Sequence, residues 1–463
     1  MFRALPSGGS VLVLLLVVAL TTMATPARAD DGASSPTSSA SGSASGSSSS
    51  SSSSSSALPS SAAAPGWDWT FGGLPALALD ADNGFLVGVV AQLYLHDPAR
   101  TPPYRIGFNL GISVTTKLVQ NHYLNVDWLG VGDLPLRLLL RVGWSQSLTQ
   151  NYCGRGMTVT CDPAVAAAAA EAEGLQGDEK EDFIKKYYLH RFMNPWAQVQ
   201  GRWALSPLPR RVEVFGGWRG SAWIPGTWAD DDGDGDADIS PYPGSLYGQE
   251  FPRGEAGFAS LLQLGVMLDS RDNEPSPRRG VWLEASVRGA TPAWGSTWTW
   301  GGANATAQVW APIVDGPAPR RVTLATRAVA DIIVGDAPLQ ELVRPGGFTD
   351  YLSFGGADMG RGVRVQRYVG DLKLFLQNEL RWRFLEWEGL GQAFALSLNG
   401  FVDAGVVGTK LGDPRILDGN GPVGGGAALL FHWNENFIVN AAVATSALEN
   451  WPTSVYITLG QAF

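Results

Sequence analysis

The chain has 463 residues, with 33 Lys and Arg against 43 Asp and Glu, a formal net charge of −10 and 45% hydrophobic residues. That acidic balance argues against nucleic acid as a partner. Mean hydropathy is close to zero, and after the N-terminus no apolar run reaches the roughly eighteen residues of a membrane-crossing helix; this excludes a helical membrane protein but not a β-barrel, whose signal per strand is weak.

At the N-terminus, Arg3, an apolar run from Val11 to Leu20 and Ala27-Arg28-Ala29 before Asp30 read as a secretory signal, residues 1–29, cleaved after Ala29. The apolar run is shorter than a membrane anchor requires. Residues 30–66 are almost all Ser, Ala, Gly and Pro, a composition that cannot bury a core and reads as a disordered linker. From residue 67 to 463 the alternation of apolar and polar residues predicts sixteen strands, at about 74–80, 84–94, 105–115, 120–128, 136–146, 194–205, 211–223, 254–269, 280–290, 297–310, 320–334, 371–385, 392–407, 422–433, 437–445 and 454–463.

The twelfth of these shows the pattern in full. Leu372, Leu374, Leu376, Leu380, Trp382 and Phe384 share one face, with Asn378 among them, while Lys373, Gln377, Glu379, Arg381 and Arg383 share the other with Phe375. Arg137 and Arg141 lie opposite Leu136, Leu138, Leu140, Val142 and Trp144, and Glu284 lies opposite Leu283 and Val287. Arg327 and Asp331 share an inner face. Each strand thus offers one side to hydrocarbon and one to water, and the 18 Trp and 11 Tyr would supply interfacial girdles. The expected fold is all-β, a 16-stranded antiparallel transmembrane β-barrel. The even strand number returns both ends to one side, and the three longest links, 147–193, 224–253 and 335–370, fall on the other, outer side.

The first long loop holds Cys153 and Cys161, which an exported chain would join as a disulfide, and then an Ala-, Glu- and Lys-rich stretch, 164–188, expected to be helical. The second carries Asp230, Asp232, Asp234, Asp236 and Asp238 around Gly235. These carboxylates suit either a calcium site or a solvated acidic loop; the twelfth position from Asp230 is Pro241, where the EF-hand pattern has a bidentate Glu. Catalysis has little support: there is no Gly-x-Ser-x-Gly elbow and no His-Glu-x-x-His motif, and of the four His only His190 falls in a long outer loop. No enzyme is expected, and no cofactor beyond calcium.

Four motifs resemble the barrel of the BamA and TamA type outer-membrane insertase superfamily, also called the bacterial surface antigen family. Asp269-Ser270-Arg271-Asp272-Asn273 with Pro277 to Gly280 resembles the family's turn; Gly355-Gly356 with Arg361-Gly362 resembles its sixth-loop motif; Arg367-Tyr368, Gly370 and Glu379-Leu380-Arg381 resemble the continuation; Phe401-x-Asp403-x-Gly405 resembles the motif on strand thirteen. The resemblance spans about Pro75 to Phe463 and implies a sixth extracellular loop folded into the lumen. Arg361 and Gly362 would then meet Asp403 and Glu379 as a lock; otherwise these are independent lumen charges facing water. The loop here reads Gly360-Arg361-Gly362-Val363, without the family's aromatic, so its tip should pack differently. Members that handle client proteins usually carry POTRA domains before the barrel, where this sequence has the Ser-rich linker.

The last strand places Val455, Ile457, Leu459 and Phe463 on its lipid face and resembles the signal read by the outer-membrane assembly machinery. The resemblance therefore implies an integral outer-membrane protein surrounded by lipid and lipopolysaccharide, assembled by that machinery. Two functions follow from it: insertion or translocation of a polypeptide client through the seam between first and last strands, or a plugged or gated pore or structural surface antigen. The first strand is short and begins near Gly72-Gly73-Leu74-Pro75, so its pairing across the seam should be weak.

Overall fold

The computed structural model describes residues 69–463 apart from 81–83, 98–103, 157–160, 207–210, 229, 231–235, 253–254, 275, 350–352, 390–391, 410–420, 422, 435–436 and 448–452. The signal and the Ser-rich linker lie outside the described residues. Sixteen antiparallel strands form one sheet in which each pairs with its neighbour in sequence. They are β1 (Trp69–Asp80), β2 (Gly84–His96), β3 (Tyr104–Thr115), β4 (Gln120–Leu129), β5 (Leu136–Asn151), β6 (Leu189–Ala204), β7 (Arg211–Pro225) and β8 (Gly257–Asp269), then β9 (Gly280–Ala290), β10 (Thr299–Asp315), β11 (Arg321–Asp336), β12 (Leu372–Gly389), β13 (Gln392–Gly408), β14 (Val423–Trp433), β15 (Phe437–Ser446) and β16 (Thr453–Leu459).

The distribution of side chains is inverted relative to a protein in water. On β12 and β13, Lys373, Glu379 and Asp403 are at most 1% exposed, whereas Leu380 and Val402 are 48% and 53% exposed. The same holds on β9, where Glu284, Ser286 and Arg288 are buried and Leu283 and Val287 face out. Ionised groups packed inside a ring of exposed aliphatics are stable only if the outside is hydrocarbon, and the fold is a transmembrane β-barrel. Among the described residues no helix is long and apolar enough to cross a membrane.

The long links gather at one end. Residues 152–188 carry α1 (Pro163–Ala172) and α2 (Gly177–Lys186), 226–256 carry α3 (Leu246–Glu250), and 337–371, the sixth outer loop, carry α4 (Leu339–Val343). The single helical stretch expected over 164–188 is two helices, because the chain turns at Gly174 with a positive φ of 76°. Asp162 caps α1 through the Ala164 amide at 2.9 Å. Cys153 and Cys161 form the disulfide, with Cα atoms 5.1 Å apart. Beneath these loops Tyr152, Phe192, Trp223, Tyr247, Trp298 and Leu342 belong to one buried apolar core that fills the outer end of the barrel.

Three expectations are corrected. β5 and β6 extend further outward than their alternation indicates, so His190 lies on β6, buried and stacked on Tyr247 at 4.7 Å, and not in a loop. β1 begins at Trp69 and has twelve residues, so it is not short. Its Pro75 lies on the strand that, among the described residues, ends the hydrogen-bonded order, the place in a sheet where proline is commonly found. β16 has seven residues and stops at Leu459, well before Phe463. β1 and β16 come side by side, yet no paired register joins them among the described residues.

If Leu380 contacts hydrocarbon near mid-strand, Leu380→Arg should lower stability by about 2–4 kcal/mol, as a cation at the bilayer midplane does. Denaturant titration of the protein folded in lipid vesicles measures this; a loss below about 0.5 kcal/mol, usual at a water-exposed surface, contradicts the lipid-facing assignment.

Candidate functional site

The sixth outer loop leaves β11 at Asp336, runs down into the lumen and returns to β12 at Leu372. At its tip Arg361 meets the inward faces of β12 and β13. Its backbone amide, its Nε and its Nη2 each donate to Asp403 at 2.9 Å, and its Nη1 donates to Glu379. The guanidinium lies 3.5 Å over the Phe401 ring. Glu379 also accepts from Arg381 Nε at 2.8 Å, and Asp403 from Gln377 Nε2 at 3.2 Å. Alternation puts Gln377, Glu379 and Arg381 on one face of β12, and Phe401 and Asp403 on one face of β13, with Gln377 directly opposite Asp403.

The loop backbone fits closely. Gly362 has φ 92°, and a Cβ there would lie 2.6 Å from the Thr445 backbone, while a Cβ on Gly424 would lie 1.8 Å from the Arg361 carbonyl. The Gly362 amide donates to Tyr456 Oη at 3.1 Å, which ties the loop to β16. Val363, at the position after Gly362, is buried in a cluster with Phe354, Met359 and Tyr368, and Phe354 stacks on Phe375 at 4.7 Å.

Sequence reading missed a second anchorage on the same loop. Asp331 of β11 accepts from Arg288 Nη1 at 2.8 Å and Nη2 at 3.0 Å, from Lys373 Nζ at 3.3 Å and from the Gly346 amide at 2.8 Å. Next to it Glu284 accepts from the Phe348 amide at 2.6 Å, and Gln263 donates to the Gly347 carbonyl at 2.7 Å. Parity marks all of these side chains as inward; only the fold shows that residues 346–348 come to them.

Phe463 is placed differently from expectation. It was assigned to the lipid face of the last strand, but the chain leaves the sheet after Leu459, and the Phe463 ring lies inside the lumen against Arg327 and Arg381, 4.7 and 5.0 Å from their guanidinium carbons. Val455 and Ile457 remain on β16, half-buried; Leu459 ends it. Of the acidic loop, Asp232 and Asp234 lie outside the described residues. Asp230 is exposed and Asp238 is engaged by Arg191 at 3.2 Å; among the described residues no three potential metal ligands gather.

A cavity of about 530 Å³ is lined by Arg137, Arg202, Arg271, Arg327, Asp127 and Glu274 among others. The β8–β9 turn reaches under the barrel to build it. Asp272 accepts from the Arg278 and Arg279 amides at 2.9 and 3.2 Å, and the folded turn carries Glu274 to Arg137 Nη1 at 3.0 Å, where Arg137 also holds Asp127 at 2.5 Å. Burial among protein atoms raises the Glu274 pKa, but Arg137, with Arg202 and Arg271, outweighs it and holds the carboxyl at about 2.

No protein-family model and no curated protein matches the chain. Among solved structures it is similar to CdiB from Escherichia coli, with a TM-score of 0.53 and 13% identity over 86% of this chain and 63% of that one. CdiB from Acinetobacter baumannii matches with a TM-score of 0.48 and 13% identity over 85% of this chain and 66% of that one. BamA from Haemophilus ducreyi lacking POTRA domains 1-3 matches with a TM-score of 0.46 and 11% identity over 85% and 70%. The chain thus spans just under two thirds of the E. coli CdiB structure, and at this identity the likeness establishes the fold alone: a β-barrel like that of CdiB.

Because Arg361, Glu379 and Asp403 are at most 1% exposed, removing one partner should cost about 3–5 kcal/mol, against about 0–1 for a pair in water. Arg361→Ala and Asp403→Ala should each lower stability strongly and together cost far less than their sum; additive losses in denaturant titration contradict a shared lock. Glu274 gives a pH test. Its folded pKa lies below the ordinary value, so its stabilisation is complete above about pH 4.5 and is lost as pH falls toward 2. Glu274→Gln should flatten the stability curve over that window by no more than about 1 kcal/mol, since 37% of the side chain is exposed to water; an unchanged curve removes the pairing with Arg137.

Proposed function

We propose that the protein is an integral outer-membrane barrel of the BamA and TamA-like kind that assists insertion or translocation of polypeptide through the seam between β1 and β16. It would be exported by the signal cleaved after Ala29, assembled by the outer-membrane machinery, and surrounded by lipid and lipopolysaccharide. The observation that carries this reading is a contrast within one molecule. The lumen is occupied by a loop held at two anchor points under an apolar core, while the first and last strands share no paired register among the described residues. A passive pore uses the lumen; here a loop occupies part of it, and among the described residues the facing edges of β1 and β16 share no paired register. An unpaired edge presents backbone donors and acceptors that a client strand can satisfy by strand addition.

The test is a cysteine pair, one in β1 and one in β16, in proteoliposomes supplied with a radiolabelled unfolded barrel protein. Insertion should be lost on oxidation and return on reduction, with the parent protein under both conditions controlling for the Cys153–Cys161 bond. Insertion that is indifferent to the lock overturns the seam route. Absence of insertion by the parent protein, with conductance kept in both states, favours the plugged or gated pore; absence of both favours a structural surface antigen.

A further inference from the structure

β6 carries a proline in its interior, although it pairs on one side with β5 and on the other with β7. Proline within a central strand removes a ladder bond and is uncommon there. The ladder to β7 lapses after Met193–Ile224 and resumes in the same register at Trp196–Ser221. In that register Ala222 stands opposite Pro195, which has no amide to give it. Asn194 Nδ2 donates to the Ala222 carbonyl instead, at 2.7 Å, and to Ser221 Oγ at 2.7 Å. A side chain on the lumen face thus replaces the lost main-chain donor and holds the wall together at the break.

On the hydrocarbon side the same break lies in the floor of a groove of about 720 Å³, a volume within the range of small-molecule sites. Pro195, Ala197, Gly220 and Ala222 make that floor, all of them small; Val142 and Trp144 of β5 stand on one side, and Trp218 of β7 and Phe258 of β8 on the other. The Trp218 ring is fixed. Its Nε1 donates to Ser260 Oγ at 2.9 Å, and a Cβ on Gly220 would lie 2.5 Å from it. Near the long-link end His122 of β4 lies opposite Trp144. Among the described residues it is the one basic side chain lining the groove. Its Nδ1 is buried without a hydrogen-bond partner among those residues, which leaves Nε2–H as the donor of the neutral ring.

We propose that this groove binds one acyl chain of a glycerophospholipid, whose ester carbonyl accepts from His122 at the mouth. The wall faces hydrocarbon, so its occupant is drawn from the bilayer. Leaving bulk lipid for the groove gains nothing from the hydrophobic effect, because both surroundings are apolar; what retains a lipid is contact with preformed walls and a donor for its ester. Among the described residues the lining includes no Lys or Arg to pair with the phosphates of a lipopolysaccharide, and the source assigned is therefore a phospholipid. The site lies on β4 to β8 and does not depend on the seam between β1 and β16.

The test is native mass spectrometry of the full chain released from detergent micelles and titrated with dipalmitoyl phosphatidylethanolamine. One lipid should bind saturably ahead of the rest. Ala197→Phe, which fills the floor, should weaken that first binding roughly tenfold, the worth of about ten lost carbon–carbon contacts; Ala328→Phe, at an exposed position on β11, should leave it unchanged. Ala222→Leu is measured in parallel in case Ala197→Phe does not fold, and retained heat-modifiable gel migration certifies each variant. The dialkyl ether analogue lacks the ester carbonyl and should bind roughly threefold to tenfold more weakly, the worth of one hydrogen bond, and His122→Ala should erase that difference. Binding that does not saturate, equal effects of the floor-filling and β11 variants, an ester preference that is absent or survives His122→Ala, or tighter binding of lipopolysaccharide than of phospholipid overturns the proposal.

Discussion

The structure depends on one constraint: inside the barrel, carboxylates and guanidiniums must satisfy one another, because the loop that enters the lumen shuts much of the water out. Asp403 accepts four hydrogen bonds, three of them from Arg361 and one from Gln377. Such a group cannot be partly satisfied at low cost. The loop and the wall therefore stand or fall together. With Arg361 withdrawn, Asp403 and Glu379 would sit as like charges on adjacent strands, and only the entry of water could relieve them.

That constraint explains why the loop is held twice. Arg361 fixes the returning limb against β12 and β13, while Asp331, Glu284 and Gln263 hold residues 346–348 of the descending limb by their backbone groups. Main-chain amides and carbonyls of an irregular segment at membrane depth have to find partners in the protein. The inward polar faces of β8, β9 and β11 supply them. Gln200 donating to the Phe348 carbonyl at 3.3 Å belongs to the same set. The loop is thus as much a part of the lumen wall as the strands are.

Much of this was legible in the sequence, and the limits are physical. Period-two alternation reports which face a side chain takes, so the inward Lys373, Gln377, Glu379 and Arg381, and the outward Leu374, Leu376 and Leu380, follow directly from β12. Motif order brought Arg361 to Asp403 and Glu379. Alternation cannot report where a strand stops, because the residues beyond it keep their composition while losing their faces. Phe463 was assigned outward on the assumption that β16 continued, and the turn at Gly460 reversed it. His190 was misplaced for the complementary reason: β6 runs on past the point where its apolar face ends in the buried aromatic core. The Asp331 anchorage was half readable. Its side chains were marked as inward, but the backbone of residues 346–348 carries no sequence signal of its destination.

The same turn at Gly460 bears on the seam. Gly460 keeps one bond to Ile438 of β15, and beyond it Ala462 and Phe463 lie outside the sheet and accept from two guanidiniums in the lumen. β1 has twelve residues and β16 seven; even a full ladder between them would leave part of the β1 edge without a partner. Trp69 and Phe71 at the start of β1 are exposed. The Gly- and Pro-containing start of β1 therefore does not make it a short strand, since β1 runs from Trp69 to Asp80. At the other side of the seam the last residues lie with Arg327 and Arg381 in the lumen, and Arg381 also holds Glu379 in the loop lock.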